Sequence, residues 1–145
     1  MPRQPKPDHL GQGILPGMSH YRPKSRRVNG KRRGDEQALY DVIQEVCDRR
    51  PGIVARAWRN NSGIAFTRWG GAIKLAPIGS PDFIGWLVDG RVLLIEVKLE
   101  GEPLRPDQEE WRELAARTNA VHLVVHSREE CAAMLEGIDL REVSR

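Results

Sequence analysis

Long apolar runs are missing from this chain: no stretch approaches the ~20 residues that a membrane-spanning helix requires, so no membrane partner is expected. Cysteine is scarce. Cys47 and Cys131 lie far apart in the sequence and no secretory apolar segment follows Met1-Pro2-Arg3, so the chain reads as cytoplasmic with reduced thiols. Histidine is equally sparse. His9, His20, His122 and His126 are scattered and no Cys/His pair has zinc-finger spacing, which argues against a soft-metal site. What is present is enough for one core and little more: 145 residues, of which 39% are hydrophobic, leave small room for a second domain.

Acidic residues are nearly absent from the first 34 positions. Asp8 stands alone against nine lysines and arginines, giving +8 there and leaving −5 for the rest of a chain whose net charge is +3. The same stretch holds five prolines and five glycines with few apolar residues, too little to offset the entropy of ordering. Residues 1–34 are therefore expected to form a flexible basic arm, and residues 35–145 an acidic folded domain. Seven of the nine cations cluster between Arg22 and Arg33. Arg26, Arg27, Lys31, Arg32 and Arg33 are candidates for contacts with nucleic-acid phosphates, where each neutralised charge releases counterions. A solvated tail that only aids solubility is the plainer alternative.

From Asp35 the signals alternate. Ala38, Leu39, Val42, Ile43, Val46 and Cys47 fall at helical spacing and Pro51-Gly52 stops the run, so a helix is expected over 35–50, with an acidic first turn. A strand over 53–58, a turn-rich connection over 60–71, and strands over 83–88 and 92–98 joined by Asp89-Gly90 follow. Pro106 opens a second helix whose apolar face is Trp111, Leu114, Ala115 and Thr118. A strand over 121–126 and a short helix over 128–135 complete the reading.

Two acids and a lysine interrupt this apolar background. Glu96 and Lys98 share one face of their strand, because side chains alternate with period two. The turn Gly79-Ser80-Pro81 launches Asp82 into the neighbouring strand, where its carboxylate can meet that of Glu96. Converging carboxylates call for a divalent cation, and this spacing points to Mg²⁺-dependent phosphodiester cleavage. A solvent-exposed strand end with a weak surface ion pair is the plainer reading of the same residues.

The order helix, three strands, helix, strand, together with an acid entering the first helix, Asn60-Asn61-Ser62-Gly63, Gly79-Ser80-Pro81-Asp82, Glu96-Val97-Lys98 and Gln108, resembles the virus-type replication-repair nuclease (VRR-NUC) family of the PD-(D/E)XK superfamily over residues 35–127. The resemblance implies an α/β, restriction-endonuclease-like αβββαβ core with a central mixed sheet flanked by helices. It implies that Asp82 and Glu96 ligate Mg²⁺ (or Mn²⁺), that the Val97 carbonyl adds a ligand, and that Lys98 positions the attacking water or steadies phosphate charge. Glu36 matches the acid that completes the metal shell, although the helix macrodipole alone also favours an acid in a first turn. Gln108 matches a glutamine that contacts water, phosphate or the lysine. In one departure, Arg105 stands where relatives often place a Ser or Thr helix cap; arginine cannot accept cap hydrogen bonds, which leaves Asp107 as the local substitute.

Between the first strand and Asp82, Arg56, Arg59, Arg68 and Lys74 are interleaved with Trp58, Phe66 and Trp69. Trp58 is expected in the core, while Arg59, Asn61, Arg68 and Lys74 are expected to face nucleic acid. The resulting expectation is a structure-selective DNA endonuclease acting on branched DNA, of Holliday-junction or flap type, in replication, recombination or repair. It would work as a homodimer in the cytoplasm of a bacterial or phage-infected cell. A sequence-specific restriction-type endonuclease, an RNA-directed enzyme of the same core and a non-catalytic nucleic-acid-binding module are the alternatives.

Overall fold

Elements form in the order that the hydrophobic periodicity dictates. The computed structural model describes residues 30–142, with side chains from residue 34 onward. Helix α1 spans Gly30–Asp48, strand β1 Val54–Arg59, β2 Ile64–Phe66, β3 Ala72–Lys74, β4 Phe83–Leu87 and β5 Val92–Val97. Helix α2 (Pro106–Thr118), strand β6 (Val121–Val125) and helix α3 (Arg128–Glu136) complete the chain. Four strands make a mixed sheet in the order β1-β4-β5-β6, antiparallel except for the parallel pair β5-β6. Helices α1 and α3 pack together on one face and α2 lies over the β5-β6 half of the other. This is the α/β architecture with a mixed central sheet between helices that the sequence led us to expect.

The core lies between the sheet and α1/α3. Ile43, Phe83, Leu93, Ile95, Val125 and Leu135 are almost wholly buried, each stabilising the fold by about 1.5–3 kcal/mol. Central β5 is buried on both faces from Leu93 to Val97, as befits a strand with helices above and below. Where β1 and β4 meet, a Cβ on Gly85 would run into the Arg56 carbonyl oxygen and Ala57, beside a register shift in β1. Only glycine admits that approach. Cys47 and Cys131, distant in sequence, meet in the α1–α3 interface. Both are free and buried, and the hydrogen bond between them holds the Cys47 thiol far above its usual range and lowers that of Cys131.

Four details differ from the sequence reading. Helix α1 starts at Gly30, five residues before the expected Asp35, so its first turn contains no acid, and Asp35 and Glu36 fall in its second turn. The connection after β1 contains the short β2–β3 hairpin, whose strands were too brief to register as periodicity. Trp58 is 41% exposed and packs against Trp86 at 5.4 Å, because α2 does not reach the β1-β4 half of its face. In α2 the buried positions are Gln108 and Ala115, while Leu114 and Thr118 point outward. The buried stripe of α2 thus begins with a polar side chain.

Candidate active site

The turn before β4 is held from three sides. Gly79 has φ +83°, and a Cβ there would lie 2.6 Å from the side chain of Asp107 at the start of α2, so backbone and close approach both require glycine. Asn60, directly after β1, donates through Nδ2 to Ser80 Oγ and to the Pro81 carbonyl, both at 2.9 Å. Its backbone N–H donates to the Asp82 carbonyl at 2.7 Å. Asp82 therefore arrives one residue before the Phe83–Ile95 pair, in register with Glu96.

Asp82, Glu96, Lys98 and Gln108 each have a partner around this point. Asp82 Oδ2 accepts from the Val97 backbone N–H at 2.8 Å, and Oδ1 faces the Tyr40 hydroxyl at 3.4 Å. Tyr40 donates to Glu36 Oε1 at 2.7 Å, bringing the acid of α1 beside Asp82 through the phenol. Lys98 Nζ lies 3.3 Å from Glu96 Oε1, and both side chains are buried. Gln108 Nε2 donates to the same Glu96 oxygen. That amide is aimed by its other end, where Oε1 accepts from the Arg105 backbone N–H at 2.9 Å.

The electrostatics follow from burial. Desolvation raises the Asp82 carboxyl, against the pull of the Val97 N–H and of Lys98. Desolvation first, then the charge of Asp82, pushes Glu96 up to about 7, with Lys98 pulling it back. Burial and the flanking Asp82 and Glu36 also hold the Tyr40 phenol well above its usual range, so it remains a hydrogen-bond donor.

Two carboxylates raised by desolvation, Glu96 also by the charge of Asp82, with one ammonium beside Glu96, are short of positive charge. Among the described residues no three or more His, Cys, Asp or Glu side chains cluster as a metal site. Mg²⁺, however, is held by one or two carboxylates and keeps much of its water. Asp82 and Glu96, with the Val97 carbonyl as a further oxygen, fit that ion. Glu36 stands behind Tyr40 and would reach it through the phenol or through water.

The remaining candidates fall on other segments. Arg26 and Arg27 fall outside the described residues; Lys31, Arg32 and Arg33 lie on the first turn of α1, and their side chains are outside the description. Arg59 ends β1, donates to Gln37 Oε1 at 2.9 Å and lies 4.0 Å over the Tyr40 ring. Asn61 is exposed, and its carbonyl accepts from the Ala76 N–H. Arg68 stacks over Trp69 at 4.4 Å in the β2–β3 connection, and Lys74 ends β3 in solvent. Sequence reasoning missed Tyr40, the clamp made by Asn60 and the partner Ser80. Tyr40 had a signal, four residues after Glu36 on one helix face. The Asn60 clamp spans twenty residues and had none.

A search of curated proteins returns no match. A solved structure described as a VRR-NUC domain superposes with a TM-score of 0.50 at 23% identity, covering 70% of this chain and 95% of that one, which supports the fold. The family model of the VRR-NUC domain matches residues 24–129, from ahead of α1 to the first turn of α3, and includes every residue of the Asp82–Glu96–Lys98–Gln108 group. This chain belongs to the VRR-NUC domain family, nucleases of the PD-(D/E)XK type.

Proposed function

We propose that this nuclease domain is a metal-dependent endonuclease that hydrolyses phosphodiester bonds in branched DNA, four-way junctions or flaps, during replication, recombination or repair. The observation that carries the reading is the meeting of Asp82 and Glu96 beside Lys98 at the end of a buried strand. Mg²⁺ or Mn²⁺ held there would polarise the scissile phosphate and make a bound water acidic. Asp82, Glu96 and the Val97 carbonyl would hold the ion, and Glu36 supports Asp82 through Tyr40. Gln108 fixes the Glu96 carboxylate. Lys98, kept beside Glu96, orients the attacking water and neutralises charge gathering on the phosphate oxygens. Water oxygen attacks phosphorus in line as the P–O3′ bond breaks, leaving 5′-phosphate and 3′-hydroxyl ends.

Recognition of structure rather than sequence fits the material outside the core. The basic arm of residues 1–34, with Arg26, Arg27, Lys31, Arg32 and Arg33, binds phosphates without reading bases. Arg59 and Asn61 flank Asn60, which holds the turn, and Arg68 and Lys74 lie on the following hairpin; together they extend that contact. Symmetric cutting of a junction needs two active sites, which a homodimer supplies. The half-exposed Trp58–Trp86 pair and neighbouring Val92 offer apolar surface for a second copy. Among the described residues no helix is long and apolar enough to cross a membrane, and the cytoplasm is the compartment this reading assigns.

The test is cleavage of sequence-matched Holliday junction, flap, nicked and linear duplex DNA with Mg²⁺ or Mn²⁺. Metal-dependent cutting of a branched substrate supports the proposal. Cutting of linear duplex at one defined sequence would replace it with a restriction-type activity, and binding without cutting would leave a recognition module.

A further inference from the structure

We propose that Arg105 is a positioning residue for the substrate backbone, its guanidinium holding a phosphate beside the one being cut. The inference rests on the nuclease reading and adds a residue that reading does not use.

Arg105 is the N-cap of α2, with extended backbone at φ −79° and ψ 160°. That position favours a side chain that accepts hydrogen bonds from the first turn, whereas a guanidinium only donates. The helix macrodipole places partial positive charge at the same end, which disfavours a cation. Gln108 performs its half of a capping box by accepting from the Arg105 N–H, and the arginine side chain cannot return the bond. Asp107 Oδ1 meets Arg105 Nε at 3.2 Å, but the pair is largely exposed, with the arginine side chain 58% accessible, and so contributes little. The helix is thus started by a residue unsuited to starting it. Such local conflict is expected where function sets the residue.

What surrounds the side chain points to that function. The loop from Lys98 to Pro106 encloses a cavity of about 710 Å³ that opens to solvent. Lys98 and Arg105 both line it, so two cations face one space. The Arg105 charge also reaches Glu96, where it works against the upward push of burial. Glu100 and Glu102 line the same cavity and repel a phosphate, which leaves Lys98 and Arg105 as its cationic contacts there. A planar guanidinium binds phosphate through two parallel hydrogen bonds, a geometry that an ammonium lacks.

Arg105→Ser separates the two roles, because serine removes the cation and supplies an N-cap acceptor at a helix start where Asp107 Oδ1 takes the Gln108 N–H, at 3.1 Å. In the full-length chain the melting temperature should rise by about 3 °C. KM for the best-cut DNA should rise about tenfold with kcat within about twofold, and the slope of log affinity against log salt should fall by about 1. Arg105→Lys should restore the slope and only part of KM. An unchanged KM and salt slope in Arg105→Ser would overturn the proposal, and so would a lowered melting temperature. Salt-dependent binding measured in an Asp82→Ala background needs no cleavage, so it decides the role of Arg105 even if the nuclease reading itself fails.

Discussion

The catalytic turn and the β2–β3 hairpin are neighbours in the chain and opposites in construction. Around Asp82 and Glu96 every polar group is tied: Asn60 to the turn, Val97 N–H to Asp82, Gln108 and Lys98 to Glu96. On the hairpin, Ile64, Phe66, Trp69 and Ile73 are all more than half exposed, and Arg68 rests on Trp69 in solvent. A two-stranded ribbon without a covered face is marginal by itself. Here its base is closed by the Gly63–Ala76 and Asn61–Ala76 backbone hydrogen bonds and joined to the catalytic turn by Asn60–Asp82. The contrast separates two tasks. Groups that meet developing charge are preorganised in a low-dielectric setting, where they gain most. On the proposed reading, groups that would meet a substrate of variable shape are left free to adapt to it.

The comparison is broken most severely from the fixed side. Asp82→Ala and Glu96→Ala should each lower metal-dependent cleavage by about a thousandfold or more while DNA affinity stays within a few-fold, as expected when preorganised electrostatics carry the rate. Single-turnover cleavage and fluorescence anisotropy on one substrate give both numbers. Parity of either variant with wild type would place the metal elsewhere.

Asn60→Ala tests whether the turn itself must be held. It removes two side-chain hydrogen bonds to partly buried acceptors, worth about 1–3 kcal/mol of stability, and should reduce cleavage about 10- to 100-fold by loosening Asp82. Urea unfolding beside cleavage rates checks both. Lost stability with full activity would show that β4 alone aligns the carboxylate.

This clamp also marks how far the sequence could be read. Glu96, Lys98 and Asp82 were legible because strand alternation and one turn suffice to bring them together, and the parallel and antiparallel strands followed from apolar runs separated by a helix or by Asp89-Gly90. Glu36 was visible as a choice between two explanations. Its place in the second turn of α1 weakens the dipole explanation, which fades beyond the first turn, and its hydrogen bond to Tyr40 favours the site. Tyr40 and the bond between Asn60 and Ser80, residues noted only as parts of motifs, escaped because they depend on tertiary contacts between segments. Trp58 was misplaced for a related reason: a large aromatic on a strand reads as core unless the reach of the covering helix is known. The three-residue strands β2 and β3 were below what periodicity can show.

From the open side, Trp69→Ala should weaken branched-DNA binding by about tenfold, in line with ~1–3 kcal/mol per stacked base. It should leave kcat unchanged and stability within about 0.5 kcal/mol, since the ring is 81% exposed. Anisotropy on junction and linear duplex separates stacking on unpaired bases from general adhesion. Equal loss on both substrates would deny the hairpin any part in structure selectivity, and a change in oligomeric state would reassign it to contacts between copies.

The smallest effect concerns the strain stored in the fixed side. Glu96 rises from an ordinary 4.5 to about 7 on folding, chiefly through burial and then through Asp82, which is itself raised. Below about 4.5 the folded and unfolded states are both protonated and the full stability is present; between about 4.5 and 7 the unfolded chain releases its proton first, so stability declines with pH and levels off above about 7. Asp89 shifts downward beside Arg91 and titrates below this window, while His122, lowered by burial, gains stability as pH rises and offsets part of the fall. The melting temperature in EDTA should therefore fall by about 5 °C from pH 5 to pH 7.5. Millimolar Mg²⁺ should cancel the fall at pH 7.5, because the ion binds the ionised carboxylates and stabilises only the folded state. Glu96→Gln should flatten the EDTA curve and abolish the response to Mg²⁺ together. A variant that flattened the curve yet kept the Mg²⁺ response would mean that the carboxylate storing this strain and the carboxylate holding the metal are different residues.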